Sequence, residues 1–436
     1  MSALVPREVW SSRLGLILAL VGGMVGIGNI WRFPYLLGIG GGGAFLVVYI
    51  AILVLLGIAG MTYELTLGKV SKGGPISACG FSGMPGGKYL GAVPVVLYFI
   101  MAGYFMVVVG WFVKYFVISF TDVFTTADLP TYFMNFAFAS PERFLFHAIV
   151  VAVSAGIMIL GVVKGFERLC KIGVPIFIIL LIIMAVKGMT LPGAGAGLQF
   201  LFSPDWSKLS LEVVVLALGQ VFFTIGLSTS VLVLYGSYMK NTEDVPLNSV
   251  IAGLGDSFVA IIAALAIFPA LFAFGITEPG SGPALVFIMF PAVLAELPKV
   301  FGIIFFAATV LVTLTTTTFI LQFLAEPLMS LWHWSQKKAV LIIALAVWLC
   351  GLPAAYNFDW LSQVDLYFSS VFLPLVAIIA PVALLWYIGR DRALEWVNKG
   401  ASFRIGNWWV TWGRYVYPIL IFLILVFGVL GMFGVL

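Results

Sequence analysis

Long apolar runs alternate along this chain with short clusters of charge, proline and glycine. Eleven of them predict membrane-crossing helices, near 13–37, 42–67, 89–119, 143–162, 169–187, 212–239, 247–274, 300–330, 338–355, 364–388 and 411–435. Each reaches or exceeds the roughly 17–25 apolar residues with which a helix crosses a hydrocarbon core of about 30 Å. The segment 277–299 is apolar but short, and is expected to fold back as an outer loop. The pattern predicts an all-α polytopic membrane protein with almost no domain outside the bilayer.

Two of the runs are interrupted midway. The first contains Gly22-Gly23-Met24-Val25-Gly26-Ile27-Gly28-Asn29, and the sixth contains Gln220 through Ser230, with Thr224 and Gly226 inside. Unwound backbone at mid-membrane depth exposes N–H and C=O groups that must be buried in protein or bind something. The interruptions lie five spans apart, the pattern of two inverted five-helix repeats whose broken helices meet at a ligand site. The chain then divides into 1–190, 205–390 and an additional helix in 405–436. On spacing alone, the alternative is that these glycines are packing notches between helices.

Composition narrows the class further. Of 436 residues, 62% are hydrophobic and 9% charged, against roughly a quarter charged in soluble domains. A soluble enzyme, a nucleic-acid binder and a disordered chain are excluded. With the N-terminus in the cytoplasm, sixteen Lys and Arg residues fall on inner segments and four on outer loops, as the positive-inside rule requires. An odd number of spans puts the C-terminus outside. Residues 1–13 are polar and do not read as a signal peptide. Cys79, Cys170 and Cys350 are far apart, and His147 and His333 are isolated, so no metal or redox motif emerges.

Ionisable and hydroxyl groups inside spans are costly and point to function. Arg32 follows the first break, and Asp365 lies at the outer end of the tenth span. The two could form a gate above a central site or a static ion pair. Asp256 sits within the seventh span, as a partner of a cation, a proton carrier or a helix-interior hydrogen bonder. Thr315-Thr316-Thr317-Thr318 in the eighth span offers four hydroxyls. These either bond the carbonyl one turn back or help hold a hard cation.

The motifs Arg7-x-x-Trp10, Arg13-Leu14-Gly15, Gly26-x-Gly28-Asn29-x-x-Arg32-Phe33-Pro34 and Gly41-Gly42-Gly43-Ala44-Phe45 resemble the neurotransmitter:sodium symporter family. Gln220-x-Phe222-Phe223-Thr224 and Tyr235-Gly236-Ser237-Tyr238 look like its sixth span, and the nearest pattern is the bacterial amino-acid branch with the leucine-transporter fold. That fold is itself the standard instance of broken-helix transport. The resemblance implies two sodium sites. One would use the Met24 carbonyl, Asn29, Thr224 and Asp256. The other would use carbonyls of Gly22, Val25 and Val312 with hydroxyls of Thr315 and Thr316. Asp256 stands where many members have Asn beside a chloride, so chloride is not expected. The outer gate would be Arg32 with Asp365, lidded by Phe223.

For substrate, the resemblance implies Gly23, Met24, Ile27, Gly28, Met101, Tyr104, Phe105, Phe223, Gly226, Thr229, Thr316 and Ile320. Gly26 stands where amine carriers have Asp, which argues against an amine. Aligning on Gly110-Trp111 puts Phe105 where a Tyr hydroxyl binds the substrate carboxylate, with Tyr104 about 100° round the helix. Family members also pair the N-terminal Arg with an Asp at the end of the eighth span, where this chain has Ser330. The expected activity is sodium-coupled symport of a small neutral hydrophobic or aromatic amino acid, or a metabolite derived from one, through the bacterial inner membrane. The alternative is a carrier for a carboxylate-free ring such as indole, coupled to protons or to no ion. A substrate-gated channel is more remote, because no filter-like ring of polar residues appears. Partners are a small molecule, sodium and the lipid bilayer, with no nucleic acid and no enzyme chemistry.

Overall fold

A computed structural model describes residues 8–227, 230–278 and 282–432. All regular elements among them are helices, as expected where lipid offers the backbone no hydrogen-bond partners. Short polar side chains set where several helices begin. The Ser12 hydroxyl accepts from the Gly15 N–H at 3.0 Å, and Ser210, Asp244 and Ser335 cap the helices after them in the same way.

Among the described residues, eight helices are long and apolar enough to cross a membrane: Gly43–Ser71, Gly87–Ile118, Glu142–Ile159, Val162–Met189, Val245–Ala273, Val300–Trp332, Gln336–Tyr356 and Asn407–Phe427. Two bent pairs raise the number to as many as ten. One is the expected first span, Arg13–Met24 with Gly28–Ile39, bent by 54°. The other joins Leu373–Ile388 to Arg390–Asn398 at 112°. That is a corner, because Arg390, Asp391, Arg392 and Glu395 make the second helix too polar to continue a span. The expected sixth span is divided into Leu211–Thr224 and Val231–Ser237, and neither half is long enough alone. Eleven spans are reached only when these halves are joined and the segment ending at Ile388 is also counted as a span. Inside the expected outer loop, Leu285–Met289 and Phe290–Ala295 form a short buried helix. Its Phe287 packs on Phe112 and Tyr115, and the Tyr115 hydroxyl donates to the Phe287 carbonyl at 2.8 Å.

The fifth span packs against the first, seventh and eighth, and the third against the fourth, eighth and ninth. The second span meets the inner half of the sixth at backbone distance. A Cβ on Gly68 would lie 1.9 Å from the Val233 carbonyl oxygen, and one on Gly236 would lie 2.3 Å from that of Leu65. Small residues permit such contact between membrane helices. On the inner side, the buried Lys69 ammonium donates to the carbonyls of Glu243 and Lys399 at 2.7 and 2.6 Å. Asp244 accepts from the Ser402 N–H at 2.6 Å. The linker into the last span is thereby tied to the second span and the loop after the sixth.

Candidate functional site at the two broken helices

In the first span the helix ends at Val25, whose ψ of 127° leaves the helical range, and a wider π turn restarts it at Gly28–Arg32. In the sixth, Thr224 is the last helical residue, Gly226 and Ser230 take left-handed φ values of +64° and +56°, and the helix restarts at Val231. A cavity of about 30 Å³ lies where the two breaks meet. Of the residues expected at the substrate, Gly23, Met24, Ile27, Gly28, Met101, Phe105, Phe223, Gly226 and Thr316 line it. Tyr104 and Ile320 are not among the lining residues, and Thr229 lies outside the described residues. Tyr98, Val231, Tyr235 and Leu373 line it as well. The walls are drawn in to a volume that fits about two waters. Met24 and Met101, flexible and polarisable, are the wall residues best able to give way to a ring.

Two oxygen-rich clusters flank this cavity. In the first, the buried Asp256 carboxylate accepts from Asn29 Nδ2 at 2.8 Å and from Thr224 Oγ1 at 2.9 Å. Asn29 Nδ2 also reaches the Asp256 carbonyl at 3.0 Å, and Asn29 Oδ1 accepts from the Gly26 N–H at 2.9 Å. In the second, Thr315 donates to the carbonyls of Gly22 and of Val312, the latter at 2.6 Å, and Thr316 donates to that of Val25 at 3.0 Å. All five groups expected of that set are therefore together. The threonine run divides between its two readings. Thr317 and Thr318 bond back to the carbonyls of Thr313 and Leu314 in their own helix, while Thr315 and Thr316 reach across to the first span. Both clusters are hard oxygen sets with turning hydroxyls, and such groups can rotate their lone pairs onto a small cation.

A polar cluster covers one side of the cavity, the side expected to face outward. Arg32 Nε lies 3.8 Å from Asp365 Oδ2, and both side chains are buried. Arg32 Nη1 donates to Gln220 Oε1 at 2.8 Å, and Gln220 Nε2 donates to the Gly28 carbonyl at 2.9 Å. Phe223 lies under the guanidinium, 5.1 Å from ring centre to Cζ. The Tyr104 hydroxyl donates to Asp365 Oδ1 at 3.0 Å. Tyr104, expected at the substrate, is thus part of the lid, because its side of the third helix faces the tenth span.

The opposite side is sealed by rings. Tyr235 stacks between Trp10 at 5.7 Å and Phe319 at 3.9 Å, and Trp10 Nε1 donates to the Tyr235 carbonyl at 3.2 Å. Outside this seal, Glu167 in the fifth span accepts from the Ser11 hydroxyl and, at 3.1 Å, from the Ser11 N–H. Lys171 Nζ approaches the same carboxylate at 2.8 Å. Arg7 lies outside the described residues. Its neighbour Glu8 accepts from the Val163 N–H at 3.0 Å. The N-terminal segment is therefore fastened to the fifth span.

A cavity closed on both sides, between two broken helices and two oxygen clusters, is the layout of an alternating-access carrier. A profile of the sodium:neurotransmitter symporter family matches residues 7–135 and 139–434. The chain belongs to that family. An uncharacterised sodium-dependent transporter of Haemophilus influenzae is 31% identical over 96% of this chain and 98% of its own length. The sodium-dependent serotonin transporter of Drosophila melanogaster is 27% identical over 98% of this chain and 77% of its own. Among solved structures, MhsT in complex with L-phenylalanine superposes with a TM-score of 0.88 at 33% identity, covering 97% of this chain and all of that one. The symporter fold and the use of sodium are therefore shown. This protein is a multi-pass membrane transporter for a small molecule, not an enzyme.

Two parts of the site carried weak sequence signals. Gln220, which links Arg32 to the first break, is a polar residue in an apolar run and stood in the motif. Glu167 reads as an ordinary charge at a membrane edge, and only the fold brings Ser11 to it.

Proposed function

We propose that this symporter carries a neutral aromatic or hydrophobic amino acid, with sodium, into the cell across the bacterial cytoplasmic membrane. The observation that carries this reading is the junction of the two breaks, with an oxygen cluster on either side of one closed cavity. In this reading the N-terminus is inside, the C-terminus is outside, and residues 1–190 and 205–390 are the two inverted repeats, followed by the helix in 405–436.

The first sodium is held by the Met24 carbonyl, Asn29, Thr224 and Asp256. Asp256 supplies a fixed negative charge, so chloride is dispensable. The second sodium is held by the carbonyls of Gly22, Val25 and Val312 and the hydroxyls of Thr315 and Thr316. Those hydroxyls donate to the carbonyls around them. Sodium takes the place of the bridging protons, and each hydroxyl turns a lone pair inward. Joined through the ion, the first and eighth spans are held together and the outward-facing state is favoured. Substrate then binds between the breaks, with its carboxylate against the amides of Ile27 and Gly28, the anion-seeking end of a half-helix. Phe223 and the Arg32–Asp365 pair close over it. The first, second, sixth and seventh spans rock together, the Trp10 seal opens, and the cargo leaves inward. Each sodium charge crossing 100 mV contributes about 2.3 kcal/mol to the drive.

The test is sodium-dependent uptake into proteoliposomes. Thr316→Ala should raise the sodium concentration needed for half-maximal uptake by about tenfold, the effect of losing one hydroxyl to a charged partner. Unchanged sodium activation would remove Thr316 from the site.

A second reading has an observation of its own. Phe105 lines the cavity without a hydroxyl, and the Tyr104 hydroxyl is engaged by Asp365. That supports a carboxylate-free ring such as indole. Thermal stabilisation by tryptophan only in sodium favours the amino acid, whereas stabilisation by indole alone favours the second reading. Under the amino-acid reading, Phe105→Tyr should tighten tryptophan binding.

A further inference from the structure

The inner end of the cavity carries a polar group that neither gate nor sodium site uses. Tyr98 and Phe105 lie two turns apart on the third span, about 10.5 Å, so the cavity runs from the lid down to the aromatic seal. At that lower end the Tyr235 side chain is buried and lines the cavity, and its hydroxyl has no hydrogen-bond partner among the described residues. The hydroxyl sits in a notch left by Gly23, where a Cβ would lie 1.7 Å from the oxygen. The stack with Trp10 and Phe319 holds the ring, and the hydroxyl lies buried against Gly23, itself a residue of the cavity wall. A buried hydroxyl without a partner is costly, and stacking alone would be served as well by phenylalanine.

We propose that Tyr235 is a specificity residue whose hydroxyl accepts a hydrogen bond from the ring N–H or O–H of the substrate, so that the symporter prefers indole- and phenol-bearing substrates to plain phenyl or alkyl ones. The inference rests on the aromatic-substrate reading above, and serves either form of it, since the ring is common to both. A site built to pair with a polar group discriminates against the analogue that lacks it, because its own group is then left unpaired.

The experiment measures Kd in saturating sodium for L-tryptophan and for 3-benzothienyl-L-alanine, in which sulfur replaces the ring N–H at nearly the same shape. Wild type should bind tryptophan about tenfold more tightly. Tyr235→Phe should bring the ratio close to one by weakening tryptophan alone, with no loss of thermal stability in the ligand-free protein. If Tyr235→Phe does not fold, Gly23→Ala, which displaces the hydroxyl, should lower the ratio instead. A wild-type ratio of one, or a ratio unchanged in both the Tyr235 and Gly23 variants, overturns the inference and leaves the transport reading standing. Binding of neither ligand, and of neither phenylalanine nor indole, overturns the transport reading and the inference with it.

Discussion

The two closures of the cavity are built from different materials. The one expected to face outward is built on a buried ion pair, Arg32 with Asp365, supported by Gln220, Tyr104 and the Phe223 ring. The inner one is a stack of rings, Trp10, Tyr235 and Phe319, with a polar latch of Ser11, Glu167 and Lys171 beyond it. An ion pair in low dielectric is directional and loses its worth when one partner goes. A ring stack loses energy in proportion to the area uncovered. In the transport reading proposed above, the first closure would act as a switch that substrate and ions can trip, and the second as a thick plug released by moving a segment.

Substitutions can break or sharpen that contrast. The largest effect is expected from Asp365→Asn, which strips the carboxylate from a buried guanidinium at a cost of about 3–5 kcal/mol. Uptake should fall by at least about 100-fold by that arithmetic, while accessibility of the inner side to cytoplasmic thiol reagents stays as in wild type. Near-normal uptake would mean that the pair is static. Next is Trp10→Ala, with a truncation cost of about 3 kcal/mol. A cysteine placed at Phe319 should then react faster from the cytoplasmic side; protection equal to that of the single cysteine variant would count against the ring seal. Tyr104→Phe removes one hydrogen bond to a carboxylate, about 1.5 kcal/mol. It should weaken closure, seen as faster substrate release to the outside, without altering which substrates bind. A changed substrate preference would return Tyr104 to the cavity wall. The smallest effect is expected from Glu167→Gln, about 1 kcal/mol because Lys171 is partly exposed. It should shift the inner side modestly toward open in hydrogen exchange of residues 8–13; no change would confine the latch to a packing role.

Much of this contrast was legible in the chain. Glycines and polar groups interrupting an apolar run are hard to explain in lipid, so both breaks, Asp256 and the threonine run at 315–318 stood out. The choice of Thr315 and Thr316 within that run, and of the carbonyls beside them, came from the family resemblance. What stayed hidden depended on rotation and reach. Tyr104 and Phe105 differ by one residue, and only the packed helix decides which faces the cavity. Thr315 and Thr318 look alike in the sequence, but one faces the first span and the other its own helix. Ile320 falls off the cavity wall although it lies one turn beyond Thr316. The π turns, such as Gly28–Arg32, add a residue to a helical turn without disturbing the apolar pattern, so periodicity does not reveal them. Glu167 was invisible because a carboxylate at a membrane edge needs no explanation until a partner arrives.

The ring stack around Tyr235 also gives the transport cycle a thermal signature. Opening on that side would wet Trp10, Tyr235 and Phe319, and exposing apolar surface to water raises heat capacity. Opening outward mainly rehydrates one ion pair and carries little of that term. The balance between the two faces therefore bends with temperature, and the bend belongs to the cytoplasmic side.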